Sequence, residues 1–145
     1  MRIALVEDNP ADAHLFTKAL RTSGVPVEVV WFHGGTDVVE CLSNGSEPFD
    51  LMLLDLSLPV MTGFEVLEWL RANDEFRSLP VVVVSGSNDP ADIDRCYRFH
   101  ANSYICKPLH VDEIFDLARS VVNYWAACAI SGSKTTPEGI PVLNP

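Results

Sequence analysis

Short apolar runs alternate along this chain with segments whose apolar residues recur at helical spacing. The runs are residues 3–6, 27–32, 51–54, 81–84 and 103–106, each too short for a helix. Strands alternating with helices are the pattern of repeated βαβ units, which require a parallel sheet. The fully apolar run 81–84 reads as a strand covered on both faces. Asn9-Pro10 forms an N-cap and first-position pair for a helix through Leu15, Ala19 and Leu20, which Gly24 can terminate. A short helix after Gly34-Gly35 carries Val38, Val39 and Leu42, and one after Gly63 carries Phe64, Val66, Leu67 and Leu70. A fourth begins near Asp89-Pro90, and a last helix runs from about 111 to 130. One domain over 1–130 is predicted. Residues 131–145, with Gly, Ser, Thr and three prolines, are expected to form a flexible tail, because few large apolar groups offset the entropy of ordering.

Chemistry enters where the predicted strands end. Glu7 and Asp8 follow the first run, Asp55 the third, Ser85 the fourth, and Lys107 precedes Pro108 after the fifth. In an open parallel sheet the carboxyl ends of the strands share one edge, so these groups converge in one crevice. Three clustered carboxylates repel one another unless a hard cation sits between them, and Mg²⁺ suits an all-oxygen site. Asp55 is positioned as a nucleophile toward phosphorus, with Mg²⁺ and Lys107 as the cations able to stabilise the added charge. Asp8, and Glu7 through a longer arm or a water, would complete the metal site. The Ser85 hydroxyl can donate to a phosphoryl oxygen, and Gly86 beside it is read as leaving room for the group. The suggested chemistry is phosphoryl transfer to a carboxylate.

Charge and composition narrow the partners. Ten Lys and Arg against twenty Asp and Glu give a net charge of −10, which argues against nucleic-acid binding, since affinity for phosphate backbones comes from basic side chains. Cys41, Cys96, Cys106 and Cys128 lack metal-ligand spacing and are read as reduced thiols. No apolar run approaches the ~20 residues of a membrane span, and the start MRIALVED turns acidic too early for a signal peptide. A cytoplasmic protein without membrane partners is expected.

Glu7-Asp8, LLDLSLPVMTG around Asp55, VVVVSGS around Ser85 and SYICKP ending at Pro108 together resemble a two-component response regulator receiver domain over about residues 1–125. The resemblance implies a flavodoxin-like (βα)5 doubly wound sheet of order 2-1-3-4-5. It implies Asp55 as the phosphoacceptor charged by a histidine kinase, without enzymatic turnover of its own. It further implies Mg²⁺ held by Asp8, Asp55 and the backbone carbonyl of Ser57, Glu7 acting through water, a cis Lys107–Pro108 bond, and Tyr104 as a switch partner of Ser85. LLDLSLP and VVNYWAACAI are most similar to single-domain regulators paired with bacterial phytochromes, so a phytochrome-type sensor kinase is the implied partner. Glu7, Ser85 and Gly86 stand where the family more often has Asp, Thr and Ala.

The last helix has two apolar faces. Ile114, Phe115, Ala118, Val122 and Trp125 suit packing on the sheet, whereas Leu117, Val121, Tyr124 and Cys128 follow a 4-3-4 seam. That seam predicts a homodimer through the fourth and fifth helices and the fifth strand. Two other readings share these residues. One is a receiver-like module that binds partners without phosphorylation. The other is a haloacid-dehalogenase-type phosphatase, which needs a second Asp two positions after the nucleophile, where this chain has Ser57.

Overall fold

The computed structural model describes residues 1–132, with side chains through 128. Of the predicted tail, residues 133–145 lie outside the described residues, and 131 and 132 complete the last helix. In chain order the elements are β1 (Arg2–Val6), α1 (Pro10–Arg21), β2 (Glu28–Phe32), α2 (Gly35–Ser43) and β3 (Leu51–Leu54). They continue as α3 (Gly63–Ala72), β4 (Val81–Ser85), α4 (Pro90–Arg98), β5 (Ser103–Cys106) and α5 (Val111–Gly132). All strand pairs are parallel and the sheet order is β2-β1-β3-β4-β5, the flavodoxin-like order.

The two-residue period of the strands divides the core in two. Ala4, Val6, Met52, Leu54, Val81 and Val83 point into one cluster with Val38 and Leu42 of α2, Val66, Leu67 and Leu70 of α3 and Cys96 of α4. Ile3, Leu5, Leu51, Leu53, Val82 and Val84 point the other way, onto Phe16 and Leu20 of α1 and Ile114, Ala118 and Val122 of α5. Every residue of β3 and β4 is buried, which explains the unbroken apolar runs 51–54 and 81–84.

Local signals set the helix starts. The Asn9 side chain accepts from the backbone N–H groups of Ala11 and Asp12, and the Asp89 side chain accepts from Ala91 N–H; Pro10 and Pro90 follow as first residues. For α3 the cap is Thr62, in a reciprocal capping box with Glu65, so the helix starts with Gly63 instead of after it. The T-G-F-E spacing carried that signal in the sequence.

Candidate functional site

Strand register brings the chemistry together. Val6 of β1 pairs with Leu54 of β3, so Glu7 and Asp55 leave the sheet side by side. Ser85 of β4 pairs with Cys106 of β5, and Lys107 is the next residue. Backbone bonds extend the ladder by one step: Asp55 N–H donates to Val6 O at 3.1 Å and Lys107 N–H to Ser85 O at 2.7 Å. The placement of these side chains is thus a property of sheet register, not of loop conformation.

Lys107 crosses to the acidic side of the crevice. Its Nζ donates to Glu7 Oε2 at 2.6 Å, Asp55 Oδ2 at 3.1 Å and Asp12 Oδ2 at 3.3 Å. Glu7 and Asp55 are 3% and 6% exposed, whereas Asp8 is exposed. Burial raises the Glu7 carboxyl above its ordinary pKa against the opposing hydrogen bond from Lys107. For Lys107 burial alone would lower the pKa, but the hydrogen bond to Glu7 and the charges of Asp55 and Glu7 outweigh it and raise it. The ammonium is therefore held charged. Carboxylate oxygens of Glu7, Asp8 and Asp55 lie within 4.8 Å of one another, a donor set that fits a hard divalent cation.

The loop after β3 is held by close backbone contact. A Cβ on Gly63 would stand 2.2 Å from Asp55 O, and Gly63 N–H donates to Leu56 O at 3.0 Å. Ser57 N–H reaches back to Asp55 Oδ1 at 3.3 Å. At the loop tip Val60 adopts φ 64° while Met61 N–H donates to Pro59 O at 2.7 Å, an unusual conformation for a β-branched residue.

On the opposite side Ser85 is fully buried, and its Oγ accepts from Ser87 N–H at 3.3 Å. Tyr104 Oη donates to Ser87 O at 2.7 Å, so the Ser87 backbone links the two residues. Burial raises the Tyr104 phenol pKa, partly offset by hydrogen bonds toward Ser85 and Ser87. Ser87 Oγ in turn donates to Asp92 of α4 at 2.6 Å.

Three expectations change. No peptide bond is cis among the described residues, so Lys107–Pro108 is trans, the isomer intrinsically favoured by about 0.5–1 kcal/mol, and the long lysine stem reaches the acids from it. A Cβ on Gly86 would meet nothing within 4 Å, so the space beside Ser85 does not depend on glycine there. The Leu117–Cys128 seam is only partly free: Leu117 and Val121 pack against the core under α1 and α5, leaving Tyr124 63% exposed and Cys128 half-buried. Asp12, which the sequence reading did not place in the crevice, joins it through Lys107. That contact spans 95 positions of the chain, so no local spacing signalled it.

Comparison with known proteins agrees with this geometry. Residues 3–119 match the response regulator receiver domain family. The probable methanogenesis regulatory protein FilR2 of Methanothrix harundinacea is 34% identical over 127 residues, covering 85% of this chain and 82% of that protein. Response regulator Rcp1 of Synechocystis is 32% identical over 129 residues, covering 85% and 87%. The Mn²⁺-bound structure of Rcp1 superposes with a TM-score of 0.80 at 30% identity, covering 94% of this chain and 98% of that one. The phosphorylated cyanobacterial phytochrome response regulator RcpA gives 0.83 at 35% identity, covering 94% and 97%. With acids after β1 and β3, a hydroxyl at the end of β4 and a lysine after β5 on a sheet of this order, the chain belongs to the response regulator receiver domain family.

Proposed function

We propose that Asp55 accepts a phosphoryl group from the phosphohistidine of a sensor kinase and that Ser85 and Tyr104 convert its arrival into a changed surface. Receiver domains signal through phosphorylation, and the contact of Lys107 Nζ with Asp55 at 3.1 Å is the observation that carries the assignment here. A carboxylate oxygen of Asp55 forms the new O–P bond as the P–N bond of the donor breaks, and the imidazole departs with the electron pair and takes a proton from solvent. Lys107, held charged among Glu7, Asp12 and Asp55, offsets the negative charge carried in. The Ser85 hydroxyl donates to a phosphoryl oxygen, which draws Oγ away from Ser87 N–H and disturbs the backbone segment that Tyr104 also grips.

Receiver domains bind a divalent metal at an acidic pocket. Mg²⁺ is the ion we assign, held by Asp8, Asp55 and the Ser57 backbone carbonyl with Glu7 acting through water, and it would neutralise charge on the phosphoryl oxygens. The phytochrome response regulator RcpA and the bacteriophytochrome response regulator AtBRR, both similar in structure to this chain, support a phytochrome-type histidine kinase as the partner. The exposed Tyr97 and Tyr124 support a homodimer through α4, β5 and α5, with Leu117, Val121 and Cys128 beside Tyr124. No described helix is long and apolar enough to cross a membrane, and a cytoplasmic location fits a kinase-fed switch. The phosphatase alternative is not favoured: Ser57 offers no acid two positions beyond Asp55.

Intact-mass spectrometry after incubation with Mg²⁺ and acetyl phosphate tests the assignment. A single Mg²⁺-dependent phosphoryl adduct is expected on the wild type and none on Asp55→Asn. An adduct that persists in the variant would move the acceptor elsewhere.

A further inference from the structure

Strand pairing between β1 and β2 ends at Val6 and Phe32, and the Glu7 N–H extends it by one bond, to Phe32 O at 3.0 Å. Beyond that point the Glu7 carbonyl takes its hydrogen bond from a side chain: Trp31 Nε1–H donates to it at 2.8 Å. Glu7 is thereby fixed at every polar atom, since Oε1 accepts from Asn9 N–H at 3.0 Å and Oε2 accepts from Lys107. A half-buried indole needs some acceptor, and packing on β2 accounts for the ring. It does not account for where that acceptor lies, at the junction between β1 and the two acids.

Asp8 is the opposite case. Its carboxylate is exposed and has no hydrogen-bond or salt-bridge partner among the described residues, yet an oxygen of it lies within 4.8 Å of oxygens of Glu7 and Asp55. The backbone holds that direction: the peptide joining Glu7 to Asp8 is planar, so fixing the Glu7 carbonyl oxygen fixes the plane from which Asp8 departs. Trp31 is itself clamped. Its ring stacks on His33 with centroids 4.0 Å apart, and His14 meets it edge-on at 5.5 Å. A donor held by two ring contacts can keep its acceptor within the narrow tolerance that a metal site requires.

We propose that Trp31 is a positioning residue of the divalent-cation site, fixing through the Glu7 carbonyl the direction in which Asp8 meets the ion. The role rests on the assignment of Mg²⁺ to Asp8 and Asp55 above. Trp31 acts only through the backbone of Glu7, and removing its N–H leaves every carboxylate of the site in the chain.

The test is a Mg²⁺ titration of isotopically labelled protein, read at the amide resonances of Asp8 and Asn9. The wild type is expected to bind. Trp31→Phe, which keeps an aromatic ring and removes the N–H, is expected to bind about tenfold more weakly. Trp31→benzothienylalanine, in which sulfur replaces the N–H in a ring of the same shape, should show the same loss and covers the case in which Phe disturbs the fold. Val29→Ala costs packing on the same strand but keeps the indole bond, and should stay within about twofold of wild type. Without metal, hydrogen exchange at the Asn9 N–H should be about fivefold faster in Trp31→Phe than in wild type. Undiminished affinity in the Trp31 variants, an equal loss in Val29→Ala, or unchanged Asn9 exchange would overturn the role of Trp31 and leave the ion assignment standing. No Mg²⁺ binding by the wild type would overturn the ion assignment and the role of Trp31 with it.

Discussion

Lys107 Nζ lies closer to Glu7 Oε2, at 2.6 Å, than to Asp55 Oδ2, at 3.1 Å. The two carboxylates are buried side by side, so this one ammonium offsets a repulsion that the sheet register imposes. Removing one partner of a buried charge group costs about 3 kcal/mol when nothing replaces it. Lys107→Ala should therefore lower the melting temperature without divalent cation, and Mg²⁺ should raise it further in the variant than in wild type. Thermal melts across a Mg²⁺ titration check this; an equal Mg²⁺ shift in both proteins would show that lysine and metal do not share the acids.

The Gly63 contact makes a second prediction. A methyl group 2.2 Å from Asp55 O forces the backbone of the phosphoacceptor to move. Gly63→Ala should destabilise the fold by about 1–3 kcal/mol, the usual cost of overpacking, and slow acetyl phosphate labelling of Asp55. Denaturant unfolding and labelling kinetics measure the two effects. Normal labelling in a destabilised variant would mean that the β3–α3 loop adapts without moving the acceptor.

Because Ser87 N–H serves Ser85 and Ser87 O serves Tyr104, the two switch residues act on one backbone segment. The melting-temperature change on phosphorylation should depend on both together. In a double-mutant cycle with Ser85→Ala and Tyr104→Phe, a coupling of about 0.5 kcal/mol or more is expected. Additive effects would sink the linkage.

The dimer face divides by burial. Tyr124→Asp alters a largely exposed side chain and should shift sedimentation at micromolar concentration toward monomer with little loss of stability. Val121→Asp places a charge against the core beneath α1 and α5 and should destabilise the monomer itself. A wild type that sediments as monomer throughout would end the dimer proposal.

Thiol chemistry separates Cys96 from Cys106. Cys96 is fully buried, and burial, with the charge of Asp92 adding to it, pushes its thiol up to about 11 from an ordinary 9.0. Iodoacetamide should modify exposed Cys106 first and Cys96 only after unfolding. The folded state keeps the Cys96 proton more tightly than the unfolded chain, so its stabilising contribution is complete below pH 9 and fades between there and about pH 11. Unfolding free energies at pH 8 and pH 10.5 for wild type and Cys96→Ala measure it.

Much of the site was legible because its parts sit at strand ends. Glu7, Asp8, Asp55, Ser85 and Lys107 each follow or close an apolar run, and a parallel sheet leaves those ends one edge to share. Asp12 was not placed in the crevice because its contact there runs through a lysine 95 positions away. Trp31 donates its indole N–H to the Glu7 carbonyl, 24 positions away. Neither contact leaves a trace in local spacing.

Sequence alone determined the element order, the two-faced core and the crevice groups that sit at strand ends, since periodicity and strand termini are local properties of the chain. Tertiary structure decided which acid Lys107 holds most closely, that Lys107–Pro108 is trans, that Ser87 joins Ser85 to Tyr104, and that Leu117 and Val121 are partly spent on the chain's own core. Those outcomes depend on distances between elements far apart in sequence. Such distances are set by packing and register across the whole sheet, which no local pattern encodes.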